Sequence, residues 1–283
     1  MLESRQRQFD GLRVQTWEGG PEGDPKTGQG FPVLMLHGVG PGTSIQGNFG
    51  PVLAPLAASC RIVATDLVGF GGSQGKPTPP AFDVELWLRQ AEAMLDLLPA
   101  GPCGVAGHSL GGALALKLAA RCPRITRVLT SSTVGARYAL PAALDTFWSM
   151  PADRAALAAA MSRMVGDPSA LTDAMIDDRW GWLMSGDNGR SFAAMFAAPR
   201  QRYLDQAIIA DTELDALADA ARQIEIVLLH GRADQACPMA ETTLAIADRL
   251  PRADVQLFGR CGHNLPRERT ADYIAKALAL FRD

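Results

Sequence analysis

A serine framed by glycines, Gly107-His108-Ser109-Leu110-Gly111, stands between a short apolar run (Cys103 to His108) and an Ala- and Leu-rich stretch of helical character. Gly-x-Ser-x-Gly between a strand and a helix is the pattern of a nucleophile elbow. A serine hydroxyl is a weak nucleophile. It reacts when it is exposed on a sharp turn, close to a base, with N–H donors aimed at the oxyanion it creates. A strand-to-helix turn supplies that setting. The glycines permit close backbone approach, the Leu110 amide is one oxyanion donor, and the helix start adds a field that favours negative charge.

The chain has four histidines that could serve as base. His108 adjoins Ser109, and alternation along a strand predicts that its side chain points the other way. His37 precedes the nucleophile, on the wrong side for the chain order. His230 ends an apolar run and reads as a packing histidine. His263 lies in Gly259-Arg260-Cys261-Gly262-His263, just after the last apolar run, where a loop can carry an imidazole over a sheet edge. The third member must hold the imidazole tautomer and stabilise the imidazolium. Asp234 follows the run Ile224 to His230 and gives the order Ser, Asp, His. The other position for such an acid reads Ser131-Ser132-Thr133 and offers no carboxylate, while Asp66 reads as a turn and cap residue. The second oxyanion donor is expected after the run Phe31 to Leu36, from the amide of Val39 or that of Gly40. This Gly-rich loop lacks the Lys-Ser/Thr ending of a phosphate loop.

The elements that must position these residues are legible. FPVLML (31–36), RIVATD (61–66), CGVAGH (103–108), ITRVLTSS (125–132), IEIVLLH (224–230) and ADVQLFG (253–259) are Val-, Ile- and Leu-rich without strict alternation. That is how strands buried on both faces of a parallel sheet read. Amphipathic or buried helices are predicted between them, at 84–98, after Ser109, at 242–250 and at 271–281. Strand then helix, repeated, predicts a doubly wound, mostly parallel α/β sheet. Residues 134–222 break the rhythm: they hold no convincing strand, are helical in composition, and carry Trp148, Trp180, Trp182 and most of the methionines. They are expected to form a helical lid on a core made of 1–133 and 223–283, with an apolar pocket for a substrate tail. Gly19 to Gly30 reads as a hairpin loop before the first buried strand.

A hydrophobic fraction of 47% and 283 residues suit one large domain with an insertion. A net charge of -3 gives no basic footprint for nucleic acid or an anionic membrane. The N-terminus MLESRQRQFDG has no apolar core of a signal peptide, and no apolar run reaches the length of a membrane span. Five scattered cysteines fit a reducing cytoplasm and form no metal-ligand pattern. The expectation is a cytoplasmic protein without metal or cofactor that acts on a small molecule; a homo-oligomer is left open.

The chain resembles the α/β-hydrolase superfamily and, within it, the carbon–carbon bond hydrolases that cleave ring meta-fission products in bacterial breakdown of aromatics. HGVGPG at 37–42 with Asn48-Phe49, DLVGFG at 66–71, FAAMFAAPRQR at 192–202 and FGRCGH at 258–263 carry the resemblance, which covers most of the chain. It implies an α/β-hydrolase fold and a 2-hydroxy-6-oxohexa-2,4-dienoate substrate. The dienol would first become a ketone, and attack at the C6 ketone would follow, giving a 2-hydroxypenta-2,4-dienoate and a carboxylic acid. Arg200 would be the lid arginine serving the dienoate end, with Asn48, Gly40 and His108 as further substrate contacts. Two positions depart from that group: His108 stands where Asn is usual, and Asn264 where Trp is usual. These departures favour the alternative of a carboxylic-ester or amide hydrolase with the same triad. A slow, ligand-binding relative is the third reading. Dehalogenase and epoxide hydrolase chemistry would need Asp at position 109.

Overall fold

The computed structural model describes residues 2–22, 30–219 and 221–282. Residues 23–29 of the Gly/Pro-rich segment thus lie outside the described residues. The elements run β1 (Leu2–Phe9), β2 (Leu12–Gly19), β3 (Phe31–Leu36), α1 (Ile45–Ala57), β4 (Cys60–Thr65), α2 (Val84–Leu95), β5 (Cys103–His108), α3 (Leu110–Arg121) and β6 (Ile125–Ser131). Six helices follow: α4 (Ala142–Phe147), α5 (Arg154–Ser162), α6 (Asp173–Met184), α7 (Asn188–Met195), α8 (Gln201–Ala207) and α9 (Asp211–Ala218). The chain ends with β7 (Glu225–Gly231), α10 (Thr243–Arg249), β8 (Asp254–Phe258), α11 (Leu265–Glu268) and α12 (Thr270–Arg282).

The strands form one eight-stranded sheet in the order β1-β2-β4-β3-β5-β6-β7-β8. β3 to β8 are mutually parallel, and β1 and β2 are antiparallel additions at one edge. The parallel strands lack polar alternation because both faces are covered. Val33 and Met35 of β3 pack with Phe49 and Leu53 of α1 and Tyr273 and Phe281 of α12. Leu34 and Leu36 face the opposite layer, with Trp87 of α2, Leu114 of α3 and Ile246 of α10. Sequence patterning does not reveal the first two strands. β1 reads LESRQRQF and is exposed along most of its length, so no buried stripe marks it; pairing with β2 over all eight residues makes it a strand.

The helices α4 to α9 lie between β6 and β7 in the chain and lean on the loops at the carboxyl edge of the sheet. Trp148, which follows α4, donates from Nε1 to the Val39 carbonyl (3.3 Å), and Arg179 of α6 donates to the Pro41 carbonyl (3.2 Å). The backbone N–H of His263 donates to Met164 O (2.7 Å). No helix among the described residues is long and apolar enough to cross a membrane.

Candidate active site

Three loops at the carboxyl ends of β3, β5 and β8 converge with the helical segment on one cavity of about 260 Å³. Ser109 is the residue between β5 and α3, with φ 54° and ψ -119°. This backbone region is unfavourable for a side-chain-bearing residue, and strain of this kind collects at functional sites. The surroundings over-determine it. The Ser109 N–H donates to Ser131 O (2.9 Å), and α3 closes its first turn on Ser109 O through Gly112 N (3.0 Å). Because Leu110 is the first residue of α3, its N–H has no intrahelical acceptor and is available to an oxyanion. Gly38 and Val39 line the cavity beside Ser109.

The close approach of α3 to β3 requires glycine at 111. A Cβ there would fall on the Leu36 carbonyl and within 2.5 Å of the His37 carbonyl oxygen. Both neighbours are backbone and cannot rotate away. Gly111→Ala is therefore expected to destabilise the fold by about 1–3 kcal/mol, the usual range for an overpacked interior. A urea midpoint unchanged from the parent protein would refute this account.

His263 lines the same cavity. Its Nδ1–H donates to Asp234 Oδ2 at 2.8 Å, and Asp234 Oδ1 accepts from the backbone N–H groups of Ala236 (2.8 Å) and Cys237 (2.9 Å). With Nδ1 engaged, Nε2 is the free ring nitrogen. Burial works against charge on both partners, but each stabilises the other. The Asp234 carboxylate holds the His263 imidazolium well above the ordinary histidine range, and His263 keeps Asp234 below the ordinary carboxylate range. Glu268 fixes the loop that carries His263: Oε2 accepts from Gly166 N (2.7 Å) and Gly262 N (2.8 Å), and Oε1 from Asn264 N (3.1 Å).

The other histidines are bonded elsewhere, although His230 Nε2 also lies 3.4 Å from Asp234 Oδ2. His37 donates from Nδ1 to Gly38 O (2.6 Å) and accepts at Nε2 from Leu67 N (2.9 Å); burial lowers its pKa to about 4. His230 sits between Thr243 Oγ1 (2.7 Å) and the Cys237 carbonyl (2.9 Å). Asp66 bridges Ile45 N (2.6 Å) and Gly72 N (2.8 Å), as a cap and turn residue does, and burial pushes its carboxyl up to about 7.

Three expectations need correction. His108 does not turn away from the site. Its ring lines the cavity with a centroid 4.9 Å from that of His263, because the sharp turn at Ser109 interrupts strand alternation. Arg200 does not reach the cavity: it donates to Phe196 O (2.7 Å) and pairs with Asp145 (3.1 Å) within the helical segment. Gly40 does not line the cavity either. The Phe147 ring occupies the place of its missing side chain, so the glycine serves helix packing against the loop.

Asn48 does line the cavity, and its Oδ1 accepts from Gly38 N (2.8 Å), which holds the loop before Val39. Two arginines line the cavity, Arg179 and Arg267, and Arg179 is the more deeply buried. Its guanidinium is buried and donates to two neutral acceptors, Pro41 O (3.2 Å) and Thr43 Oγ1 (3.0 Å). Burial, then the charge of Arg267, lowers its pKa to about 10, so it stays charged at neutral pH. Sequence reasoning missed Arg179 because Asp177-Asp178-Arg179 reads as a solvated helix face. Arg267 also lines the cavity, and its Nε–H donates to Gly47 O (2.5 Å), a carbonyl that has no helical donor because residue 51 is proline. Asn264 Oδ1 is buried with no partner among the described residues.

Met161, Met164, Val165, Leu171 and Met175, with Val39, Phe147 and Ala174, make the apolar part of the lining. Methionines thus contribute as expected, whereas Trp148, Trp180 and Trp182 are not among the lining residues. Asp234, Cys237 and His263 present three atoms able to ligate a metal within 4.8 Å of one another, but two of these residues already satisfy each other.

Residues 33–277 match the profile of the "Alpha/beta hydrolase family". A 2-hydroxymuconate semialdehyde hydrolase of Pseudomonas sp. (strain CF600) is 33% identical over 259 residues, 89% of this chain and 89% of that protein. A 2-hydroxy-6-oxo-2,4-heptadienoate hydrolase of Pseudomonas putida is 32% identical over 248 residues, 87% of each. Among solved structures, a meta-cleavage product hydrolase from Pseudomonas fluorescens IP01 superposes with a TM-score of 0.87 at 26% identity, covering 98% of this chain and 97% of that one.

Proposed function

The chain belongs to the alpha/beta hydrolase family, and on that premise we propose that it hydrolyses a carbon–carbon bond in a 2-hydroxy-6-oxohexa-2,4-dienoate, a ring-fission product of aromatic catabolism. The observation that carries this reading is Arg179, a buried guanidinium that shares the cavity with Ser109 and is bonded to neutral acceptors. A buried cation so held suits an anionic ligand, and a guanidinium matches a carboxylate through two parallel hydrogen bonds. The names of the relatives at 32–33% identity support the same substrate class.

In this reading α4 to α9 act as the lid. Arg179 holds the C1 carboxylate, and the methionine-lined wall receives the C6 substituent. Neutral His263 takes the Ser109 proton, and Oγ attacks the C6 ketone. The oxyanion is met by the amides of Leu110 and Val39, a contribution worth about 10²–10³-fold per donor. Collapse breaks the C5–C6 bond. Its electrons flow into the C2 carbonyl, which is why the keto form must precede cleavage. Once His263 has given up the Ser109 proton, it activates the water that releases the acid and passes a proton back to Ser109 Oγ.

The same triad would cleave a carboxylic ester, and the departures at His108 and Asn264 keep that reading in play. Loss of the visible dienolate absorbance of 2-hydroxy-6-oxohepta-2,4-dienoate, beside hydrolysis of p-nitrophenyl butyrate, separates the two. Rapid bleaching with release of acetate is expected. Arg179→Ala should lower kcat/KM for the dienoate by about 10²-fold, as for a charged hydrogen bond removed from a buried carboxylate, and affect the neutral ester far less. Arg200→Ala should leave that discrimination intact. Brisk ester cleavage without bleaching would overturn the carbon–carbon assignment.

A further inference from the structure

Two imidazoles share this cavity, and only one belongs to the triad. His108 is buried, its ring sits edge-on to Phe49, and its Nδ1 lies 3.2 Å from Ser131 O and 3.1 Å from Ser131 Oγ. The Ser131 carbonyl can only accept and so favours the tautomer of neutral His108 with the proton on Nδ1 and Nε2 a bare acceptor, while the Ser131 hydroxyl can serve either tautomer. His263 is oriented in the same manner, with Nδ1 committed to Asp234 and Nε2 free. The cavity therefore holds two imidazoles, each anchored through Nδ1 to its own partner, with centroids 4.9 Å apart.

We propose that His108 is the base that takes the 2-hydroxyl proton of the dienoate and returns it to the same oxygen when the carbon–carbon bond breaks. The proposal rests on the carbon–carbon hydrolase reading. Ketonisation removes a proton at O2 and adds one at C5. Four covalent bonds of ~1.3–1.5 Å separate these atoms, an extended span of about 5 Å, so two separate proton-handling groups are needed, and the cavity offers two imidazoles side by side, with ring centroids 4.9 Å apart. The O2–H bond breaks as N–H forms at His108 Nε2. Charged His263 gives its proton to C5, and the diene electrons shift to leave C2 as a ketone. His263 is then neutral, the form needed to take the Ser109 proton. On cleavage the C5–C6 electron pair moves through the chain onto O2, and the imidazolium at 108 returns its proton there. His263, left charged by the Ser109 proton, releases that proton to solvent and so becomes the neutral base for water; the water's proton passes through it to Ser109 Oγ, and His108 ends as it began.

The surrounding charges favour this division. Burial, the His263 charge, Arg179 and His37 all act against an imidazolium at 108, opposed by the Ser131 carbonyl, whereas Asp234 supports one at 263. Paired titratable groups pushed in opposite directions mark an acid and a base. The dienolate formed by the transfer would in turn neutralise part of the positive charge around His108.

Stopped-flow absorbance with the full chain and 2-hydroxy-6-oxohepta-2,4-dienoate tests the proposal. In wild type the loss of dienol absorbance should be fast. In His108→Ala it should slow by about 10²–10⁴-fold, the usual contribution of a positioned base, and become the limiting phase. Added imidazole should restore part of the His108→Ala rate, and His108→Gln, which fills the space without a basic nitrogen, should be slow and unrescued. A merely structural role would not respond to imidazole. Dienol loss within a few-fold of wild type in both variants would overturn the assignment of His108 and leave the function intact. A wild type that does not consume dienoates would overturn both.

Discussion

Ser109→Ala is expected to lower kcat for the preferred substrate by about 10⁵–10⁶-fold while leaving the fold intact, since removing the nucleophile of a triad is about as damaging as removing all three members. The substitution deletes one oxygen and keeps a Cβ. The unusual backbone at 109 is imposed by Ser131 O and the first turn of α3, not by the hydroxyl. The amides of Leu110 and Val39 remain, so a small residual rate above water is expected. Product release and the urea midpoint, measured on the same preparation, check both halves. Full activity in the variant would remove Ser109 from the chemistry. Lost activity with lost stability would show that the hydroxyl serves the fold.

Asp234→Asn should cost about 10⁴-fold, because an amide NH₂ facing Nδ1 favours the wrong imidazole tautomer. The direction of the pH effect is also fixed. For a neutral ester, kcat/KM follows neutral His263. The Asp234 charge raises the pKa of this imidazole, so the wild-type acid limb should lie above the ordinary histidine value. Without that charge, burial is opposed only by the smaller contribution of Cys237, and the limb should move to lower pH even as the plateau falls. The pH profile of p-nitrophenyl butyrate hydrolysis in both proteins decides this. A limb that stays in place would show that another group governs it.

Much of this site could be read before folding was considered. The elbow, Asp234 and His263 each stand directly after an apolar run, and the order of the runs is the order of β5, β7 and β8 in the sheet. The methionine-rich helices were visible as a stretch without strands. Positions that depend on side-chain direction were not. His108 and Ser109 adjoin in sequence, yet both face the cavity, because the turn at φ 54° departs from strand geometry. Arg200 and Arg179 both lie in the helical segment, and nothing in composition says which is satisfied by Asp145 and which lines the cavity with Ser109.

By itself, then, the sequence determined the fold class and singled out Ser109, His263 and Asp234 as the proposed nucleophile, base and acid. Each of these rests on a local signal: a run of branched apolar residues, a glycine-framed turn, a loop after a strand. Only the tertiary structure decided which arginines line the cavity, that His108 is a second imidazole beside His263, and that Gly40 serves the packing of Phe147. These depend on which helix rotates which face toward a cavity some hundred residues away in the chain. Periodicity along the chain carries no information about that rotation, because it is set by packing between elements.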